Sequence, residues 1–265
     1  PAVPGGAISS LYYHVRERNL CAHRDYQNVA VNGARSSSMS DKIVHTLART
    51  PIDTPLLAVL TLIGNDVCNG HPNFDHMTTP EEMYNNTLRT LTYLNSVLPP
   101  GSRVLTVGLA EGTVLYEAMH ARKHPLGPTY KEIYDFLDCL QITPCWGWMN
   151  SNATVRALTQ QRADQLSAVY PKVIADNQHR LKFEIGFLDF KQTFRKVIDK
   201  FKAGGGEVWQ LIEPVDGFHP GAIANEMVGA EILDFVHTAF PHWLPPVNKN
   251  NDMIKKVFGE QLNGH

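Results

Sequence analysis

Four short apolar runs set among stretches of helical periodicity constrain this chain more than any other feature. They are Asn28–Asn32, ending at Gly33; Leu56–Ile63 (LLAVLTLI), ending in Gly64-Asn65-Asp66; Arg103–Val107, ending at Gly108; and Leu181–Leu188, running into Asp189. Alternation of such runs with helical patterns predicts an α/β domain with a largely parallel sheet. The second run carries enough Leu and Val to be buried on both faces.

The helical patterns are legible. Thr79–Leu98 has Pro80 at its first position, Glu81 and Glu82 in its first turn, and an apolar stripe of Leu88, Leu91, Leu94 and Leu98. Asn85, Arg89, Thr92 and Ser96 follow the opposite, wet face. Phe190, Phe194, Val197, Ile198 and Phe201 form a second apolar face that stops at Gly204-Gly205-Gly206. A last helix is expected over Glu226–Phe240. The stretch 109–152 is the least regular and reads as an excursion over one end of the sheet. The whole of 1–265 reads as one domain.

With 24 basic and 26 acidic residues the net charge is −2, and no basic block recommends nucleic acid as a partner. No apolar run reaches the roughly 18 residues that cross a bilayer. The chain has no initiator Met and no secretory signal at Pro1–Pro4, so it reads as a processed chain or a fragment. The four cysteines, Cys21, Cys68, Cys139 and Cys145, form no CxxC arrangement and are disulfide candidates. The sequons Asn85-Asn86-Thr87 and Asn152-Ala153-Thr154 make Asn85 and Asn152 glycosylation candidates. Together these favour an oxidising, secretory-route compartment.

In sheets of this kind ligands bind beyond the carboxyl ends of the strands. Gly33 and Asn65 lie at such ends. Asp216-Gly217-Phe218-His219-Pro220 lies in the loop that feeds the last helix. An Asp three residues before a His, on a Gly turn, can hold the imidazole by one ring nitrogen and leave the other to take a proton from a nucleophile. The Asn65 amide and the Gly33 N–H suit an oxyanion, one such donor being worth about 3 kcal/mol of barrier. Each feature alone is also ordinary turn chemistry.

In this order the features resemble the SGNH (GDSL-type) esterase and lipase family. The resemblance is carried by Arg18-Asn19, His23–Asn28, Asn32-Gly33-Ala34, Ile63–Cys68, Met77–Glu81, His124–Gly127, Cys139-Leu140-Gln141, Pro144-Cys145, Gly147-Trp148-Met149, the run Trp209–Pro220 (WQLIEPVDGFHP) and Val257-Phe258-Gly259. It implies a flavodoxin-like three-layer α/β/α fold with a mostly parallel sheet. It also implies a secreted or lysosomal/granule serine esterase that removes secondary, acyloxyacyl-linked fatty chains from the lipid A of bacterial lipopolysaccharide. Carried over, Gly33 and Asn65 take the oxyanion-hole roles, and Asp216 and His219 the triad roles. The family resemblance further implies a saposin-like small subunit from the same precursor and calcium-binding loops, both outside the portion resembled here.

The family's nucleophile is a Ser in a Gly-Asp-Ser block ahead of the Gly block, and no such block occurs in this sequence. Ser9 and Ser10 alone precede Gly33, while Ser36, Ser37 and Ser38 follow it and read as a helix-capping region. No nucleophile is therefore assigned. The expectation is a catalytic domain incomplete at its N-terminus that neither folds stably nor hydrolyses esters alone, with Cys139 or Cys145 free to pair with a segment outside it. Two other readings stand beside this one: an SGNH lipase or phospholipase with other acyl esters as substrates, and a non-catalytic lipid-binding relative.

Overall fold

The computed structural model describes residues 10–50 and 52–259; Ser9 and the residues before it lie outside the described residues. Three parallel strands, β1 (Leu57–Thr61), β2 (Arg103–Val107) and β3 (Glu184–Leu188), lie in the order β1-β2-β3. Leu57 pairs with Arg103, and Arg103 with Glu184.

Around the sheet run α1 (Leu11–Arg18), α2 (Ser36–Asp41), α3 (Pro80–Val97), α4 (Thr113–Met119), α5 (Tyr130–Cys139), α6 (Ala153–Ser167), α7 (Val169–Asn177), α8 (Phe190–Ala203), α9 (Ala222–Ala239) and α10 (Asn251–Phe258).

The alternation along β2 divides the core into two layers. Val104 packs with Leu91, Leu94 and Leu98 at α3 and with Val169, Tyr170 and Val173 of α7. Leu105 and Val107 face the other way, onto Leu188, Phe190, Phe194 and Val197 of β3 and α8 and Val236 of α9. This is a three-layer α/β/α arrangement. Each fully buried Leu or Val contributes about 1.5–3 kcal/mol by leaving water. Thr106, also in β2 and wholly buried, donates its hydroxyl to the Gly186 carbonyl at 2.9 Å.

Helix α3 begins where its sequence says it should. The Thr79 hydroxyl accepts the Glu82 N–H at 3.2 Å, and the Glu82 carboxylate accepts the Thr79 N–H at 2.7 Å. This reciprocal cap satisfies two end donors that the helix cannot satisfy itself. Leu91, Leu94 and Leu98 are buried, whereas Asn85, Arg89, Thr92 and Ser96 are exposed. In α8 the apolar face ends at Gly204.

Four expectations change. Asn28–Asn32 forms no strand. Its Asn28 side chain accepts the Ala30 N–H at 3.0 Å, and Val31 stays 57% exposed, so turn chemistry wins over a run with little apolar surface to bury. Strand β1 is a sheet edge among the described residues and is only half-buried along most of its length, not buried on both faces. The last expected helix starts earlier, at Ala222, and α10 follows it. Within 109–152, α4 and α5 occupy much of the stretch. No helix among the described residues is long and apolar enough to cross a membrane.

Candidate active site

The loop between α8 and α9 is closed at its neck by an antiparallel bridge between Ile212 and Pro220. Inside it the Glu213 N–H donates to the His219 carbonyl at 2.8 Å, and the Gly217 N–H donates to the Glu213 carbonyl at 2.9 Å. The Glu213 carboxylate accepts the N–H groups of Val215 and Asp216, both at 2.8 Å. The loop is thus tied by its own backbone before any neighbour touches it.

The Asp216 carboxylate is spent on its neighbour. Oδ1 accepts the N–H groups of Phe218 (2.8 Å) and His219 (3.0 Å), and Oδ2 lies 2.6 Å from His219 Nδ1. The imidazole therefore carries its proton on Nδ1, and Nε2 is left as an acceptor. The hydrogen bond to Asp216 raises the His219 pKa above the ordinary imidazole value, with partial burial opposing it and the charges of Asp216 and Glu213 assisting. Burial pushes the Asp216 carboxyl up, but the bonds from the His219 ring and from the Phe218 and His219 N–H groups prevail and hold it below the usual range.

His219 lines a cavity of about 360 Å³ whose other walls include Gly33, Asn65, Leu115, Trp148 and Phe194. The structure thus brings together three of the four residues singled out in the sequence, with the fourth, Asp216, bonded to the third. Gly33 sits at φ +74°, a left-handed conformation that favours glycine, and a Cβ built there meets nothing within 4 Å. Among the described residues neither the Gly33 N–H nor the Asn65 side-chain amide has a protein hydrogen-bond partner. Two unspent donors on a wall shared with an imidazole acceptor can receive a negative oxygen while the ring takes a proton.

Sequence reading passed over Asp66, which joins the two donor segments. Its buried carboxylate accepts the Ser36 N–H at 3.0 Å, the Ser36 hydroxyl at 2.6 Å and the Thr78 hydroxyl at 2.7 Å. The Ser36 hydroxyl also accepts from the Asn86 amide at 2.9 Å. The signal available was a carboxylate directly after Asn65 in the turn that follows β1.

The serines that follow Gly33 form the first turn of α2, with Arg35 as its N-cap. Ser36 is fully engaged by Asp66 and Asn86, and no serine lines the cavity among the described residues.

Cys68 and Cys145 form a disulfide that ties the Asn65 turn to the segment leading into Trp148, while Cys21 and Cys139 are free and exposed. Cys145 is therefore committed within the chain, and of the two cysteines considered for an outside partner Cys139 is the one left free. Both sequon residues, Asn85 and Asn152, are exposed. Among the described residues no group of three or more His, Cys, Asp or Glu is placed to hold a metal ion.

The family described as GDSL-like Lipase/Acylhydrolase matches residues 10–232. The chain is 43% identical to the acyloxyacyl hydrolases of Mus musculus, over 262 residues, and Homo sapiens, over 263. The acyloxyacyl hydrolase of Oryctolagus cuniculus is likewise 43% identical, over 265 residues. In each case 97% of this chain is covered but 45% of the relative, so the chain spans under half the length of the curated relatives it matches.

Proposed function

The chain belongs to the GDSL-like lipase/acylhydrolase family, and from that premise we propose that the complete protein is a serine esterase cleaving acyloxyacyl esters. Its substrate is the lipid A of bacterial lipopolysaccharide, from which it removes secondary fatty chains. The observation that carries this is the meeting of Gly33, Asn65 and His219 on one cavity, with Asp216 holding the imidazole at 2.6 Å.

The chemistry needs a serine hydroxyl, which the family places in a Gly-Asp-Ser block that these 265 residues do not contain. What this chain supplies is the base and the oxyanion donors. His219 Nε2 takes the hydroxyl proton as the oxygen bonds to the ester carbon, and Asp216 stabilises the imidazolium that results. The carbonyl oxygen, now negative, is met by the Gly33 N–H and the Asn65 amide. Collapse breaks the ester C–O bond, and the imidazolium gives its proton to the departing oxygen, which leaves as the hydroxyl of the hydroxyacyl chain. Water then attacks the acyl-serine carbon as His219 takes its proton, the acyl–serine C–O bond breaks, and the imidazolium reprotonates the serine oxygen, freeing the fatty acid.

A secreted or lysosomal location fits the Cys68–Cys145 disulfide and the exposure of Asn85 and Asn152. A saposin-like small subunit from the same precursor is the proposed partner, and exposed Cys139 at the end of α5 offers it a thiol. The calcium that the family resemblance implies is assigned to that wider assembly.

Fatty-acid release by the complete protein tests the reading. Faster release from lipopolysaccharide than from phospholipid vesicles is the expected result; the reverse preference favours a general phospholipase.

A further inference from the structure

The loop that carries Asp216 and His219 is held from outside by one short stretch of chain. The Tyr134 hydroxyl donates to the Gly217 carbonyl at 2.6 Å and the Tyr130 hydroxyl to the Pro214 carbonyl at 2.5 Å. His124 Nε2 lies 2.7 Å from the Val215 carbonyl, and its Nδ1 accepts the Leu126 N–H at 3.1 Å. That second bond fixes the proton of a neutral His124 on Nε2, so the ring donates to Val215. Three donors spaced over eleven residues thus reach three carbonyls within a four-residue span around Asp216. All three side chains are buried, and Tyr130 packs edge-on against His124 with ring centroids 5.1 Å apart.

We propose that Tyr134, Tyr130 and His124 are positioning residues that fix the catalytic loop so that Asp216 meets His219 in the cavity. None of them lines the cavity, so they act through the loop rather than on substrate. The fit leaves no slack at its centre. Gly217 has φ +61°, and a Cβ there would stand 2.6 Å from Tyr130 and 2.8 Å from the Tyr134 hydroxyl. Burial first, with Tyr130 and Asp216 nearby, pushes the Tyr134 phenol far above its ordinary range, so it stays a donor at any working pH. Burial likewise raises Tyr130, with Glu213 adding to it and Arg122 opposing.

The inference rests on His219 being the base, and its test has a readout that needs no turnover. Tyr134→Phe removes one hydroxyl and keeps the ring. In the complete protein it is expected to lower kcat on p-nitrophenyl butyrate by about 10–100-fold, as small misplacements of catalytic groups do, with KM within twofold. Looser Asp216 contact lowers the His219 pKa, so the acid limb of kcat/KM moves to lower pH. The charged groups around that ring are Asp216 and Glu213 in its loop and Glu111 on the cavity wall. An NMR titration of the His219 ring protons should show the same downward shift. Tyr116→Phe is the control, since that buried ring belongs to the same cluster but among the described residues its hydroxyl hydrogen-bonds Ser151, at 3.4 Å, and no carbonyl of the loop. It should leave kcat and the titration unchanged.

An unmoved His219 titration in Tyr134→Phe, or a kcat loss matched by Tyr116→Phe, overturns the proposal. If the unaltered protein hydrolyses no ester while the titration still shifts, the esterase reading fails and the positioning role stands.

Discussion

Asp216 Oδ2 stands 2.6 Å from His219 Nδ1 while its Oδ1 is occupied by two backbone N–H groups of the same loop. The carboxylate cannot swing away without breaking three bonds, so the ring's proton and its orientation are set together. Replacing Asp216 by Asn keeps the shape and reverses the preferred tautomer. Turnover should fall on the order of 10⁴-fold with KM little altered, measured as steady-state ester hydrolysis.

The pH profile follows from the same contact. As the proposed base His219 must be neutral, and Asp216 raises its pKa above the ordinary 6.5. Activity should therefore fall as pH drops, with its half-point above pH 6.5. In Asp216→Asn the residual activity should show that half-point displaced to lower pH. A wild-type limb below the ordinary imidazole range would show that the carboxylate does not stabilise the imidazolium.

Asn65→Ala removes a donor that has no other partner among the described residues. The expected cost is about 10²–10³-fold in kcat, with thermal stability nearly unchanged because no intramolecular bond is lost. A large drop in Tm with modest kinetic loss would assign Asn65 to the turn and not to the chemistry.

Asp66 behaves oppositely. Asp66→Ala leaves the buried Ser36 N–H and the Ser36 and Thr78 hydroxyls without their acceptor, so it should destabilise the protein by on the order of 3 kcal/mol in denaturant unfolding.

Cys68 and Cys145 are separated by 77 residues in sequence, and their bond closes a loop that spans α3, β2, α4 and α5. The paired Ser variants should lose about 2–4 kcal/mol of stability. Alkylation of the native, unreduced protein should spare both residues.

Much of this arrangement was readable before the structure. Arg103–Val107 is a strand at the expected bounds because its apolar side chains serve both layers of the core, and α3 starts at Pro80 because Thr79 and Glu82 cap one another. Asn65 and His219 meet because the segment after β1 and the loop before α9 line one cavity, whereas Gly33 reaches it from a turn and not from the strand end expected. Asn28–Asn32 misled because its alternation is real but short, and its asparagine bonds locally. The strap of His124, Tyr130 and Tyr134 was hidden for a different reason. It joins residues more than 80 positions apart through backbone carbonyls, which leave no trace in side-chain patterns.

The most direct test of the central claim is fatty-acid release from lipopolysaccharide by the complete protein carrying His219→Ala. With the only imidazole that lines the cavity among the described residues removed, release should fall by at least about 10³-fold while the folded structure persists by circular dichroism. Release within a few-fold of the unaltered protein would mean that another group takes the proton and that His219 is not the base.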